Sequence, residues 1–418
     1  MSGRQIVLSV CAVLAVVLLA GLGDINAASS DNHDWPQFRG VNRDGVSPET
    51  GLLNSWPESG PKEVWRVPIG EGYSAITIVG DRLYTMYGGK DGAEDVEFAA
   101  AFDAGTGKEV WRTKIGLKHE TQFGTGPRAT PLIDGDLVYV MGSRGDFAAL
   151  KKSDGAVVWK LSIMEKFGAG QPYFGFSSSA ILDNGQLLVE TGGPEGKLFS
   201  GLDKVTGEVN WSAGDGATEP SYSSAIAIDV GGQRQFVSVT TKKLRGINAL
   251  GKELWSYDWP EGETHASPVF IAPDRIFASG AEGVGGTLVR ITFDGETYAA
   301  TELWKTPFMR NHFSSSVVHG GHLFGFDNAT LKAIAVADAK LAWAKRGLGK
   351  GSLMLADGHL LVLSDQGKLL LVEATPGKYV EKGTVQALEG RCWTAPTLSD
   401  GRLYLRNHTE MVGYDLNG

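Results

Sequence analysis

From residue 65 onward the apolar residues come in short runs cut off by turn-forming pairs, and no stretch carries a long helical period. One unit shows the pattern: β-rich runs at 129–133, 137–142, 147–151 and 156–161, with Asp134-Gly135 between the first two. Equivalent hairpin pairs stand at Gly80-Asp81, Asn184-Gly185, Gly320-Gly321, Asp357-Gly358 and Asp400-Gly401. Between the third and fourth runs the chain reads, at 101–111, AFDAGTGKEVW. Asp103 and Thr106 can bond the turn's own backbone, Gly105 and Gly107 suit its positive φ positions, and Trp111 follows four residues after Gly107.

That spacing recurs at Gly155/Trp159, Gly207/Trp211 and Gly251/Trp255, in worn form at Ala339/Trp343, and with a longer turn between Gly295 and Trp304. With Trp65, these are seven of the 11 tryptophans, 39 to 52 residues apart. Four strands per unit at that period predict an all-β fold, a β-propeller of four-stranded antiparallel blades. Eight units fit, at about 72–116, 124–163, 174–214, 222–258, 265–306, 313–346, 350–387 and 392–418. The eighth runs out of chain before its last strand. Lys62-Glu63-Val64-Trp65 repeats Lys108-Glu109-Val110-Trp111 residue for residue and stands alone before the first unit, so an N-terminal strand is expected to complete the C-terminal blade. The propeller thus occupies 61–418. Trp65, Trp111, Trp159, Trp211, Trp255, Trp304 and Trp343 read as docking residues, each laid against the neighbouring blade's turn. The seventh unit has Glu381 where such a Trp would fall.

The 418 residues are 42% hydrophobic and 21% charged, a globular composition. A net charge of −9 argues against nucleic acid as a partner. Residues 1–28 read as a signal peptide: Arg4, an apolar run over 6–22, then small residues about Ala27-Ala28. The alternative is an uncleaved anchor. Val10 precedes Cys11, so no lipidation site is formed. After cleavage the protein is expected to be periplasmic or secreted, without a stable membrane span, and monomeric. Cys392 alone then remains, so no internal disulfide is expected. Residues 29–60, rich in turn formers but carrying Trp35, Phe38 and Trp56, are expected to pack on the propeller's surface.

A propeller binds ligands where its blade-to-blade links converge on the axial channel. Inner strands begin with a small-residue step (Thr130-Pro131, Ser179-Ala180, Ser224-Ala225, Ser267-Pro268, Ser315-Ser316), and two residues upstream of the step lie Arg128, Ser177, Tyr222, His265 and Phe313. Lys350 and Trp393 are their counterparts in the last two blades. These seven should ring the mouth. Cations beside flat aromatics suit an acidic planar ligand or an acidic peptide. The alternative is a set of solvated loop residues, with Arg128 paired to Glu120. No His pair or carboxylate cluster stands out as a metal site, and no catalytic residue is assigned.

The Asp-x-x-Thr-Gly-x-x-x-Trp pattern, complete at 103–111 and 203–211, resembles the tryptophan-docking motif of the pyrroloquinoline quinone (PQQ) propeller superfamily. The lead-in, WPQFRG followed by NRDGVS, is similar to that of exported bacterial PQQ-binding-like repeat proteins. The resemblance covers 61–418 and implies one of two functions. One is a non-enzymatic scaffold like the outer-membrane assembly lipoprotein BamB, binding a protein or a small acidic ligand at the channel mouth with no cofactor. The other is a quinoprotein alcohol or sugar dehydrogenase, which would hold PQQ and Ca²⁺ and use an adjacent-cysteine disulfide. This chain lacks that cysteine pair and any Cys-x-x-Cys-His haem site, so the scaffold is the expected function.

Overall fold

The computed structural model describes residues 33–214, 220–240, 242–262, 264–281 and 283–418. The expected signal peptide, 1–28, lies outside them. The described chain forms eight four-stranded antiparallel sheets, seven of them taken in sequence order, with a two-stranded ribbon at Glu120–Thr121 and Gly124–Thr125 and one short helix at Ile163–Phe167. No helix of the described residues is long and apolar enough to cross a membrane.

Blade two shows why these runs become strands. Its second and third strands, Leu137–Met141 and Asp146–Lys151, are covered by neighbouring blades on both faces, and nearly every residue is buried. They therefore read as continuous apolar runs, whereas the outer strand, Val157–Ser162, has no buried residue. The hairpin pairs act as expected. Asn184 and Gly185 have φ of 47° and 79°, and Asp400 and Gly401 have 50° and 69°. Two successive positive φ angles match the right-handed twist of the flanking strands.

The ring closes across its termini. Lys62–Pro68 pairs antiparallel with Glu410–Asp415, completing the blade of Thr397–Ser399 and Arg402–Arg406. Arg406 then locks this blade to the first. Its fully buried guanidinium donates to the carbonyls of Met86 (2.7 Å) and Gly70 (3.0 Å) and to the Thr85 hydroxyl (2.9 Å).

Around the perimeter, Trp65, Trp111, Trp159, Trp304 and Trp343 donate their indole N–H groups to carbonyls of the next blade's outer turn: Ala104, Lys152, Lys204, Val336 and Thr375, at 2.8–3.1 Å. For Trp65, Trp111 and Trp159 the turn glycine lies under the ring; a Cβ on Gly107 would stand 2.7 Å from Trp65. Two tryptophans differ. Trp211 bonds Gln186 of its own blade (3.0 Å), whose amide reaches Ala249 O in the next blade (2.8 Å). Trp255 bonds Gln235 (2.6 Å), and the long turn at Gly295 meets no ring; Tyr298 of blade five instead bonds back to Val230 O (3.1 Å).

The seventh blade corrects the sequence reading. In every blade a bulge precedes the docking position, and here it puts Gly383, not Glu381, opposite Leu371. Trp56 of the lead-in fills the space beside it: its backbone N–H bonds Lys382 O (3.1 Å), and a Cβ on Gly383 would lie 2.6 Å from the Trp56 Cβ. Trp56 is buried within the cluster shared by blades seven, eight and one.

The lead-in does more than lie on the surface. Trp35 pairs with Ile78 and Pro36 O accepts from Ile133 at the far ends of two inner strands. The chain then turns up the channel through residues 37–45. Arg39 donates to the carbonyls of Asp44 (2.7 Å), Ser316 (2.8 Å) and Ser315 (3.1 Å). Arg43 donates to Ser179, Ala225 and Ala180 at 2.9–3.0 Å. The chain returns past Leu355, which it meets at Gly45 and Ser47, and ends this path with Glu49 accepting from Gly401 N (2.6 Å). Burial pushes the Arg39 pKa down to about 10 and that of Arg43 to about 9, so both stay charged at neutral pH.

Removing either device should be costly. Trp56→Ala is expected to destabilise the fold by about 3–5 kcal/mol, as loss of a buried tryptophan does elsewhere. Arg43→Ala, which orphans buried carbonyls, should cost about 3 kcal/mol or more. Both are read as lowered denaturant midpoints, and an unchanged midpoint for either variant would show that the lead-in merely rests against the ring.

Candidate functional site

Inner strands run away from the face that carries the blade-to-blade links, so residues just before each strand gather at that face. There they line one cavity of about 610 Å³. The structure brings Arg128, Ser177, Tyr222, His265, Phe313, Lys350 and Trp393 together in its wall. Sequence reading missed Tyr73, Phe123, Phe174 and His312, which share the wall, and Phe38 and Arg39, which form the floor. The aromatic residues of the long links 117–127 and 164–176 were the available signal for Phe123 and Phe174. The lead-in arginines had none, because the partners that place them are backbone carbonyls far along the chain, at Ser315, Ser316, Ser179, Ala180 and Ala225.

The rings form a belt. Tyr222 stacks on His265 (5.0 Å between centroids, 13° between planes) and His265 on His312 (5.3 Å, 14°). Phe313 stacks on Trp393 (4.8 Å, 28°) and Trp393 on Tyr73 (5.7 Å, 23°). Phe174 meets Tyr222 edge to face (5.0 Å) and Phe123 beyond it (5.6 Å). Tyr73 closes the circle by donating its hydroxyl to Phe123 O (2.6 Å). At the rim Arg391 lies over Trp393 (4.4 Å) and also donates to Phe123 O (2.6 Å). Each stacked pair turns a ring face to a wall neighbour. Tyr222 spends a face on His265, and Trp393 stacks on Phe313 and Tyr73, so these contacts are not open to a planar guest.

Arg128 is held by Gly126 O (2.8 Å) and Gly124 O (3.2 Å) and lies over Tyr73 (5.4 Å). It makes no pair with Glu120, which lies instead 3.6 Å from Lys118. Lys350 has no ion pair or hydrogen bond of its side chain among the described residues. Burial first, then His312, Lys350 and Arg128, hold the His265 pKa down to about 3, so its imidazole is neutral. Among the described residues no carboxylate lines the cavity, and no cluster of three His, Cys, Asp or Glu side chains could hold a metal ion. The described wall therefore suits the negative charges of a quinone cofactor but offers no carboxylate set for its Ca²⁺. Cys392, which has no cysteine neighbour, is buried outside this lining.

Two buried glutamates support the wall from behind. Glu97 accepts from Ser143 N (2.8 Å) and from the Ser143 hydroxyl, while Ser143 O holds Phe176 N (2.9 Å). Glu190 accepts from Ser221 N (2.7 Å) and its hydroxyl (3.0 Å), fixing the backbone just before Tyr222.

The class this geometry defines is the PQQ-like propeller: eight docked blades around an axial site. The chain belongs to the family described as "Outer membrane protein assembly factor BamB", whose model matches residues 95–345. It is 25% identical over 356 residues to the outer membrane protein assembly factor BamB of Burkholderia pseudomallei (strain K96243), covering 80% of this chain and 82% of that protein. Among solved structures, BamB from Moraxella catarrhalis aligns with a TM-score of 0.56 at 15% identity, over 84% of this chain and 97% of the other. The quinohemoprotein alcohol dehydrogenase from Comamonas testosteroni aligns at 0.63 and 12% identity, over 92% and 81%. At such identities the two structures share the fold alone.

Burial pushes the carboxyls of Glu97 and Glu190 up to about 7. Their unfolded values are near the ordinary 4.5, so the folded state holds their protons more tightly. The stability this gives is full below the unfolded value and is lost as pH rises toward and through about 7. Relative to the variant Glu97→Gln/Glu190→Gln, the native chain is therefore expected to lose melting temperature between pH 5 and pH 8. Parallel pH profiles for the two proteins would contradict this.

Proposed function

We propose that the protein is an exported BamB-like scaffold that presents its channel mouth to a partner, and that a protein segment or small acidic ligand enters there. The observation that carries this reading is membership of the assembly-factor family together with a mouth whose described lining has cations and no carboxylate. The rim supports it too. Tyr173 is 54% exposed and Phe123 43%, side by side with Phe174 between them, which is apolar surface at the opening. A quinone dehydrogenase is the second reading, favoured by the fold shared with the alcohol dehydrogenase.

Deleting the chain in its host is expected to lower the amounts of assembled outer membrane proteins. A photo-crosslinker at Phe123 or Tyr173 should capture a component of that assembly, and one at Val205 or Leu250 should not; these last two are exposed on turns of the opposite face. Unchanged outer membrane proteins with equal labelling of both faces would sink the scaffold reading. Alcohol oxidation after addition of PQQ and Ca²⁺ would establish the other.

A further inference from the structure

Around the axis the small-residue steps do more than save space. Ala75 N donates to the Thr130 hydroxyl of the next blade (3.2 Å), Thr130 N to the Ser179 hydroxyl (2.9 Å), and Ser179 N to the Ser224 hydroxyl (2.9 Å). Ser267 N donates likewise to the Ser315 hydroxyl (2.9 Å). Each hydroxyl thus takes a backbone N–H from behind and keeps its own proton to give. For Ser179, Ser224 and Ser315 no acceptor of that proton exists among the described residues, although all three are more than nine-tenths buried and line the cavity.

We propose that the cavity is a receptor for a compact aliphatic polyanion, a small molecule whose acidic groups are gripped by converging O–H and N–H donors. The inference deepens the acidic-ligand arm of the function proposed above and rests on it. Three serine hydroxyls with a proton left to give line the cavity together with Arg39, and Arg128 and Lys350 add full positive charges from the wall. Charge-assisted bonds of this kind are the strong ones. The belt of stacked rings shares this wall. It also selects for shape. A flat aromatic guest would have to separate a stacked pair such as Phe313–Trp393 or Tyr222–His265 to find a ring face, whereas a compact aliphatic acid needs no such opening. The volume of about 610 Å³ is ample for a small metabolite.

Titration calorimetry of the purified full chain tests this with three probes: tricarballylate, which is aliphatic; trimesate, which is flat and carries the same three carboxylates; and inorganic phosphate. Tricarballylate should bind at least about tenfold more tightly than either of the others. Lys350→Gln, whose side chain supports nothing in the fold, should weaken tricarballylate by about tenfold and flatten its salt dependence, with an unchanged melting temperature. Trimesate binding as tightly as tricarballylate overturns the shape argument and leaves the acidic-ligand reading standing. Equal binding of phosphate reduces the site to a single-anion pocket and overturns the polyanion. No binding by any probe, or no effect of Lys350→Gln, overturns both the proposal and the acidic-ligand arm, while the crosslinking result for a protein partner stands independently.

Discussion

Eight sheets that meet at one axis bring eight inner strands closer than bulky side chains allow, and the backbone groups near that axis are cut off from their own sheet's next strand. A buried N–H or C=O left without a partner is expensive. This chain answers with two sets of inter-blade bonds at the same level. Hydroxyls of Thr130, Ser179, Ser224 and Ser315 accept the N–H groups, and the guanidinium groups of Arg39 and Arg43 collect the carbonyls. Small hydroxylated side chains leave the room that the two arginines occupy. Each solution depends on the other, and the ring of donors that faces the cavity is a by-product of both.

The perimeter follows a different rule. There each blade is fastened to the next chiefly by an indole on a turn, and the fastening tolerates variation because little more than one carbonyl must be placed. Blade three inserts a glutamine between indole and carbonyl, blade four relies on a tyrosine returning from blade five, and blade seven borrows Trp56 from the other end of the chain. The lead-in therefore stabilises the molecule both at its axis, through Arg39 and Arg43, and at its rim.

Much of this was legible in the sequence because the repeat is written in local chemistry. Hairpin pairs such as Asn184-Gly185, the Asp103–Thr106 turn and the duplicated Lys-Glu-Val-Trp strand each depend on residues a few positions apart. The mouth was legible for the same reason: Arg128, Tyr222 and Lys350 stand at one fixed offset from their inner strands. What escaped depended on partners far away or on register. The docking position in blade seven was misplaced by two residues because a bulge, invisible to counting, sets it at Gly383. The lead-in read as surface covering because buried arginines bonded only to carbonyls leave no acidic partner to notice. Tyr222 and Trp393 looked available to a flat ligand because nothing local shows that His265 and Phe313 already occupy their faces.

Residues 37–45 place Phe38 and Arg39 beneath the axial cavity, which leaves the rim as its way in and out. A protein seated on the rim at Phe123 and Tyr173 would lie across that opening. Occupancy of the cavity and occupancy of the rim would then be linked, and whatever factor one guest applies to the other's affinity must be returned in equal measure. A propeller floored in this way can report the contents of its cavity to its partner with no change in the shape of its blades.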